Sequence, residues 1–249
     1  MNRLLLALPI QLDFPDGTKI PIAVRTSTRS RRLRIVCSIS GVQLVLPTGN
    51  RRGTVTPAEV EAFIQERKSW ILRNYKYYEK IVQKCGPHEP GTLYYSGERY
   101  RISLVRDRQH FVTVSESMRQ ITFHVRDLRD AKKAVKEWYR AETRRLVTAR
   151  LPELAAKHGL QYNRVLVKDL SSRWGSCSRQ GNLNFSLLLC AAPREVAEYV
   201  LIHELMHLVR LDHSRKFWEL VAAADPEYKK HRAWLVDHAP VIKIDSLTR

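Results

Sequence analysis

Three histidines and a glutamate close together carry the most specific chemistry in this chain: His203-Glu204-Leu205-Met206-His207, followed by His213. Residues four apart share one face of a helix, so His203 and His207 can aim their imidazoles at one ion, with Glu204 beside them as a base. A catalytic zinc ordinarily takes three protein ligands and leaves its fourth position to water. His213 is the candidate third ligand. On an unbroken helix it would lie about 9 Å beyond His207 along the axis and about 120° round, too far to share the ion. The helix must therefore stop soon after His207. Asp212 and Ser214 are good N-cap residues, and Lys216, Phe217, Leu220 and Val221 begin a new helical pattern. Together they predict a break near Arg210 to Asp212 that swings His213 back toward the ion.

The competing reading is an amphipathic core helix in which Val200, Leu201, Leu205, Leu208 and Leu211 are the apolar face and the histidines are incidental. Three histidines and a glutamate at these offsets favour metal. The metzincin spacing is met only in part. Arg210 stands where that pattern has glycine, and no methionine follows Met206 to form a Met-turn.

A site of this kind needs a core to hold it, and 249 residues of which 44% are hydrophobic can supply one in a single domain or two. Lys and Arg total 43 against 25 Asp and Glu, a net charge of +18. That charge predicts attraction to nucleic acid, nucleotides or acidic peptides, and a basic solvated surface accounts for it equally well. The four cysteines, Cys37, Cys85, Cys177 and Cys190, include no C-x-x-C pair, which argues against a zinc ribbon or a disulfide framework and fits a reducing cytoplasm. Residues 4–8 are apolar, but Pro9 follows at once and no cleavage pattern succeeds them, so they read as the lead into a first strand. No stretch reaches the length of a membrane span.

Along the chain, residues 18–24, 33–39 and 42–46 alternate like short antiparallel strands, with turns at Asp16-Gly17 and Ser40-Gly41. Between the first two lies the densest basic run, with Arg29, Arg31, Arg32 and Arg34. It suits phosphate or nucleic acid, and also a charged edge strand that resists aggregation. Thr56 and Pro57 open a helix to about Tyr78, capped through Glu59, with Val60, Phe63, Ile64, Ile71 and Tyr75 as its buried stripe. Tyr75, Tyr77 and Tyr78 among Arg73, Lys76 and Lys80 can stack on bases or serve helix packing. A loop at residues 85–91 is a possible boundary. Two hairpins follow over 93–125, then a long helix from Asp127 to about His158, stopped by Gly159 and kinked or divided by Pro152. Residues 165–168, 172–177 and 183–188 read as extended, and Pro193 starts the metal helix. The sequence carries no evident internal repeat.

A second constellation, Ser172-Arg173-Trp174-Gly175-Ser176-Cys177-Ser178 with Gly181-Asn182-Leu183-Asn184, precedes that helix. Together with residues 199–208 and Asp212-His213-Ser214-Arg215-Lys216-Phe217-Trp218, it resembles the YgjP-like family of zinc metallopeptidases, which is related to the SprT and Wss-type proteases. The resemblance is sharpest over residues 164–218. Weaker features, Ser30-Arg31-Arg32 and Phe63-Ile64 with Trp70-Ile71, extend it over most of the chain. It implies His203, His207 and His213 as ligands of one zinc per chain and Glu204 as catalytic base.

Physically, Trp174, Gly175, Ser176 and Cys177 can form an edge along which an extended peptide pairs, with glycine allowing close backbone approach. Alternatively Trp174 fills the core and Gly175 makes a bulge. Nothing near Cys177 signals an activated thiol.

These readings predict an α+β protein, with a β-rich amino-terminal domain over residues 1–126, including one long helix, and a zincin-like domain over 127–249. The expected function is peptide-bond hydrolysis in the cytoplasm, with zinc and Glu204 activating water. The runner-up is a metal-dependent nucleoside triphosphate hydrolase, although no acidic cluster of the kind that holds magnesium is present. A third reading is a nucleic-acid-associated protease. Arginines lining the zinc cleft would favour a phosphorylated substrate, and a remote patch would favour a nucleic-acid tether. Tyr199, Tyr228, His231 and His238 are equivalent candidates for stabilising an oxyanion.

Overall fold

The computed structural model describes residues 10–48, 55–87, 89–170 and 172–242. Residues 4–8, expected to lead into the first strand, lie outside them. The architecture is α+β, with β-rich sheets ahead of helices. The chain forms two compact units, Met1–His88 and Glu89–Arg249, divided within the loop at residues 85–91. Position 126, the sequence-based division, falls inside the second unit, just after its first sheet. No helix among the described residues is long and apolar enough to cross a membrane.

In the first unit, β1 (Ile10–Asp13), β2 (Lys19–Ser27), β3 (Arg34–Ser38) and β4 (Gly41–Pro47) form one sheet in the order β1-β2-β4-β3. The expectation of antiparallel strands holds for the two hairpins, but β2 and β4 pair in parallel. The parallel join puts the apolar β4 at the centre, where Val42, Leu44 and Leu46 are buried with Ile20 and Ile22. Instead of one helix there are two, α1 (Pro57–Glu66) and α2 (Lys68–Cys85), separated at Arg67. The Arg67 backbone leaves the helical region at φ −103°, ψ 5°, and its guanidinium lies 4.0 Å over the Phe63 ring. The predicted cap is present: Thr56 Oγ1 accepts from Glu59 N, and the Glu59 carboxylate accepts from Thr56 N. Val60, Ile64 and Ile71 complete the core.

The second unit opens with β5 (Thr92–Tyr95), β6 (Glu98–Arg106), β7 (Phe111–Ser115) and β8 (Gln120–Val125). Both expected hairpins form, and again the second strand pairs in parallel with the fourth, in the order β5-β6-β8-β7. The two sheets thus share one topology, a repeat of chain path that their residues do not display.

Helix α3 (Ala131–Lys157) runs unbroken through Pro152, so the proline does not divide it. A single lost N–H is outweighed by the buried row Val135, Trp138, Val147, Leu151 and Leu154, each worth about 1.5–3 kcal/mol. The Tyr139 hydroxyl donates to the Tyr94 carbonyl at 2.6 Å, and Thr143 Oγ1 donates to the Leu187 carbonyl at 2.8 Å. The β5–β6 turn bonds the same segment, with Ser96 N on the Cys190 carbonyl and Gly97 N on the Ala191 carbonyl, both at 2.9 Å. Gly97 is required there. Its φ is +83°, and a Cβ would meet Pro193 Cγ at 2.6 Å. The first sheet of this unit is therefore fastened to the residue that starts the metal helix.

Three strands, β9 (Arg164–Lys168), β10 (Gly175–Cys177) and β11 (Asn182–Ser186), make a small sheet in the order β10-β11-β9. A 3-10 segment, Leu187–Ala191, then leads into α4 (Arg194–Met206), and α5 (Arg215–Ala224) and α6 (Tyr228–His238) follow. Helix α4 is buried on almost every side, including Val196, Val200, Leu201 and Leu205, against Phe185, Phe217, Val221 and Leu235. An all-round apolar helix of this kind belongs in the middle of a core.

Candidate metal centre

Helix α4 ends at Met206, and His207 is its C-cap. The chain turns over Leu208 to Arg210, with Leu208 N on the Leu205 carbonyl and Arg210 N on the Met206 carbonyl, and α5 starts after Ser214. This is the break that His213 demanded. Arg210 holds it from both ends. Its carbonyl accepts from His207 Nδ1 at 2.9 Å, while its guanidinium reaches Asp212 Oδ1 at 2.9 Å and Ser214 Oγ at 2.7 Å. Where the metzincin pattern has glycine, this chain has a brace.

One ring nitrogen each of His203, His207 and His213 lies within 4.8 Å of the other two, and Nε2 of His203 is 3.2 Å from Nε2 of His213. Because a carbonyl can only accept, His207 Nδ1 carries its proton and leaves the Nε2 lone pair free. Two nitrogens about 2.0–2.1 Å from a shared tetrahedral ion would stand at such a separation. Buried Phe217 of α5 is a common floor. Its ring centre is 4.9 Å from that of His203, 4.4 Å from His207 and 5.0 Å from His213, and it stacks on His207. Burial, reinforced by the neighbouring imidazoles and Arg232, pushes His203 down to about 3, and burial also lowers His207. Neutral imidazole is the ligating form. His203 Nδ1 is buried without a hydrogen-bond partner among the described residues. The donor set, three imidazole nitrogens, fits a divalent transition ion.

Glu204 points the other way round α4, toward β10, and is 5% exposed. Its Oε2 has no partner among the described residues, and burial pushes the carboxyl up to about 8 against the pull of Arg173. Gly175 makes room for it. A Cβ at 175 would stand 2.5 Å from Glu204 Oε1 and 2.7 Å from Cγ. The sequence-based expectation at this glycine is approach by a peptide backbone; in the structure the space beside it is taken by the Glu204 side chain. No bulge occurs, because Gly175, Ser176 and Cys177 pair in regular register with Phe185, Asn184 and Leu183.

Trp174, Gly175, Ser176 and Cys177 line one cleft of about 720 Å3 with His203, Glu204, His207 and His213. Trp174 and Cys177 also pack on the core. Burial and the nearby Glu204 raise the Cys177 thiol to about 11, the reverse of a nucleophile's shift. Of the four oxyanion candidates, Tyr199 alone lines the cleft; His231 is held by Asp225 at 2.8 Å, His238 stacks on Trp234, and Tyr228 stacks on Trp218. Arg29, Arg31, Arg32 and Arg34 belong to the amino-terminal unit, where all four are exposed. Sequence reasoning missed Phe217 as the floor and Arg232 as a cleft residue. Phe217 was legible only as a core position, and nothing local marks an arginine two helices on.

A helix-borne H-E-x-x-H joined by a third histidine in an apolar-walled cleft is the arrangement of a metallopeptidase. Residues 31–238, a span that runs through both compact units, match the model of the YgjP-like metallopeptidase domain, and the chain belongs to that family. No curated protein and no solved structure matches the chain.

Proposed function

We propose that this protein is a zinc-dependent peptidase in which His203, His207 and His213 hold one zinc and Glu204 is the catalytic base. The observation that carries the reading is the convergence, on one cleft, of three imidazoles, each offering one nitrogen within 4.8 Å of the others, and a buried glutamate. When bound, zinc supplies Lewis acidity and lowers the pKa of water. Glu204 takes the proton of the attacking water and returns it to the leaving nitrogen, which suits a carboxyl raised by burial toward neutral pH. Gly175 keeps that carboxylate against β10. Because β10 is the edge of its sheet, an extended substrate adds to it as a further strand, with Trp174, Ser176 and Cys177 flanking the scissile bond. Tyr199 is the cleft hydroxyl available to a developing oxyanion. Among the described residues no disulfide joins the cysteines, in keeping with action in a reducing cytoplasm.

Metal analysis paired with a peptide-library digest tests this. The wild type should carry about one zinc and cleave peptides. His213→Ala should lose most of the metal, and Glu204→Gln should keep it while turnover drops about 10²–10⁴-fold. Hydrolysis of nucleoside triphosphates without peptide cleavage would overturn the reading.

A second role rests on the amino-terminal unit. Arg34 lines a cavity of about 440 Å3 with Phe63, Arg67 and Trp70, and Trp70 is 39% exposed. Exposed arginines beside an open indole suit single-stranded nucleic acid. Binding that is indifferent to salt, or unchanged after replacing Arg29, Arg31, Arg32 and Arg34, would remove this role.

A further inference from the structure

Several arginines are already matched to acids. In the second unit Arg145 pairs with Glu142, Arg150 and Arg194 with Glu198, Arg210 with Asp212 and Arg215 with Glu219. Arg173 and Arg232 differ. Both line the cleft and both are exposed, yet neither meets a carboxylate among the described residues.

They stand on two flanks of the site. Arg173 lies on the segment entering β10, close enough to Glu204 for its charge to draw that carboxyl down. Arg232, on α6, sits with its guanidinium carbon 5.2 Å over the Trp218 ring, on the His203 side, where its charge helps keep the imidazole neutral. The Trp218 stack restricts the head without neutralising it. Among the described residues Glu204 is the only carboxylate that lines the cleft, and it is buried. A substrate entering here meets two forked cations and, among those residues, no exposed carboxylate. Such a cleft raises the local concentration of anions, and each guanidinium fits a carboxylate or a phosphate through two parallel hydrogen bonds; arginines in the cleft are the placement that favours a phosphorylated substrate, and on a peptide the matching anion is a carboxylate.

We propose that Arg173 and Arg232 select peptides that carry a carboxylate close to the scissile bond. The inference rests on the peptidase reading and names its substrate class. The carboxylate can come from an Asp or Glu side chain or from the peptide's own C-terminus.

The test uses the full-length, zinc-loaded protein and matched peptides that differ as Glu against Gln, each with a free or an amidated C-terminus. Binding is measured on Glu204→Gln by fluorescence anisotropy, and turnover on the wild type. Acidic peptides should bind about tenfold or more tightly than their amide counterparts, the value of a hydrogen bond to a charged group. The ratio should collapse toward unity in Arg173→Gln/Arg232→Gln, recover in part with lysine at both positions, and shrink with added salt. A preference that follows Glu against Gln assigns the side chain; one that follows the free terminus assigns the α-carboxylate. Equal binding of acidic and neutral peptides by the protein with both arginines intact overturns the proposal, as does a preference that survives in the glutamine double variant. Acid-selective binding without turnover keeps the arginine assignment and defeats the peptidase reading. Turnover without acid selectivity does the reverse.

Discussion

Replacing Gly175 with alanine puts one methyl group where the Glu204 side chain lies. The new Cβ would stand 2.5 Å from Oε1, 2.7 Å from Cγ and 2.8 Å from Cδ, against 3.4 Å for ordinary contact. To restore that contact the carboxylate must retreat by about 0.9 Å, and because Glu204 is only 5% exposed its one direction of retreat is into the cleft, away from β10. Overpacking of this size costs about 1–3 kcal/mol of stability, which a unit of this size withstands. The chemistry is less tolerant, since a displacement of about 1 Å at a catalytic group lowers turnover by about 10²-fold. No imidazole is touched, so zinc content should hold. The assay is kcat on a cleaved peptide, with zinc content and thermal midpoint measured on the same preparation. Glu204→Asp shortens the base and should itself lose turnover; adding Gly175→Ala to it should cost little more, because the clash is already relieved. Wild-type kcat in Gly175→Ala at full zinc content would refute the reasoning, and a change in KM alone would return Gly175 to the substrate.

Acid and base should act oppositely on the metal-free protein. Between about 3 and 6.5 the unfolded chain binds the His203 proton and the folded chain does not, so stability rises with pH; between 4.5 and about 8 the folded chain keeps the Glu204 proton and the unfolded chain does not, so stability falls. Thermal midpoints should therefore climb from about 3 to 4.5, change little between 4.5 and 6.5 where the two slopes oppose, and decline from 6.5 to about 8, and Glu204→Gln should abolish the decline. A decline that persists in that variant would contradict the burial of this carboxyl. Arg210→Gly removes the brace on Asp212 and Ser214 but keeps the backbone bond to His207, so zinc affinity should drop about 10–100-fold by chelator competition; unchanged affinity would show that the brace is idle. Cys177 and Cys190, raised to about 11 and about 12, should resist alkylation at pH 8 until the protein is denatured, as read by mass spectrometry. Rapid native labelling of Cys177 would reopen its candidacy as a nucleophile.

The parts of the site that could be read from the sequence are those fixed by short-range geometry. The offset of His203 and His207 is a property of any helix, and the distance of His213 forced a break that the chain makes at His207. Capping at Thr56 and the stop at Gly159 were legible for the same reason. Pairing between strands was not. Alternation reports which face of a strand is buried and is silent on its neighbour, so the parallel joins β2–β4 and β6–β8 were missed. Gly175 shows the limit most clearly: its residue type announced that something comes close, but only the packing of α4 on β10 shows that it is Glu204. Arg232 lies 28 residues after Glu204 and joins the cleft through the fold of α5 and α6, which no spacing rule describes.

The topology common to the two sheets also governs how they assemble. Each consists of two hairpins that close within about 1–10 μs and one parallel pair that cannot form until both hairpins exist. The join brings Ile22 to Val42 in one sheet and Arg101 to Gln120 in the other, so each loop encloses a further strand, β3 or β7, with its turns. Quadrupling a loop from about 5 to about 20 residues adds about 1.2 kcal/mol of closure entropy, which slows this step relative to the turns. During that delay the inner edges of β2 and β4 stand unpaired. β4, with Val42, Leu44, Val45 and Leu46 all destined for burial, is the most apolar of them. A refolding chain is therefore most prone to pair with its neighbours through Gly41–Pro47, and its refolding yield falls with concentration for reasons unrelated to the metal centre.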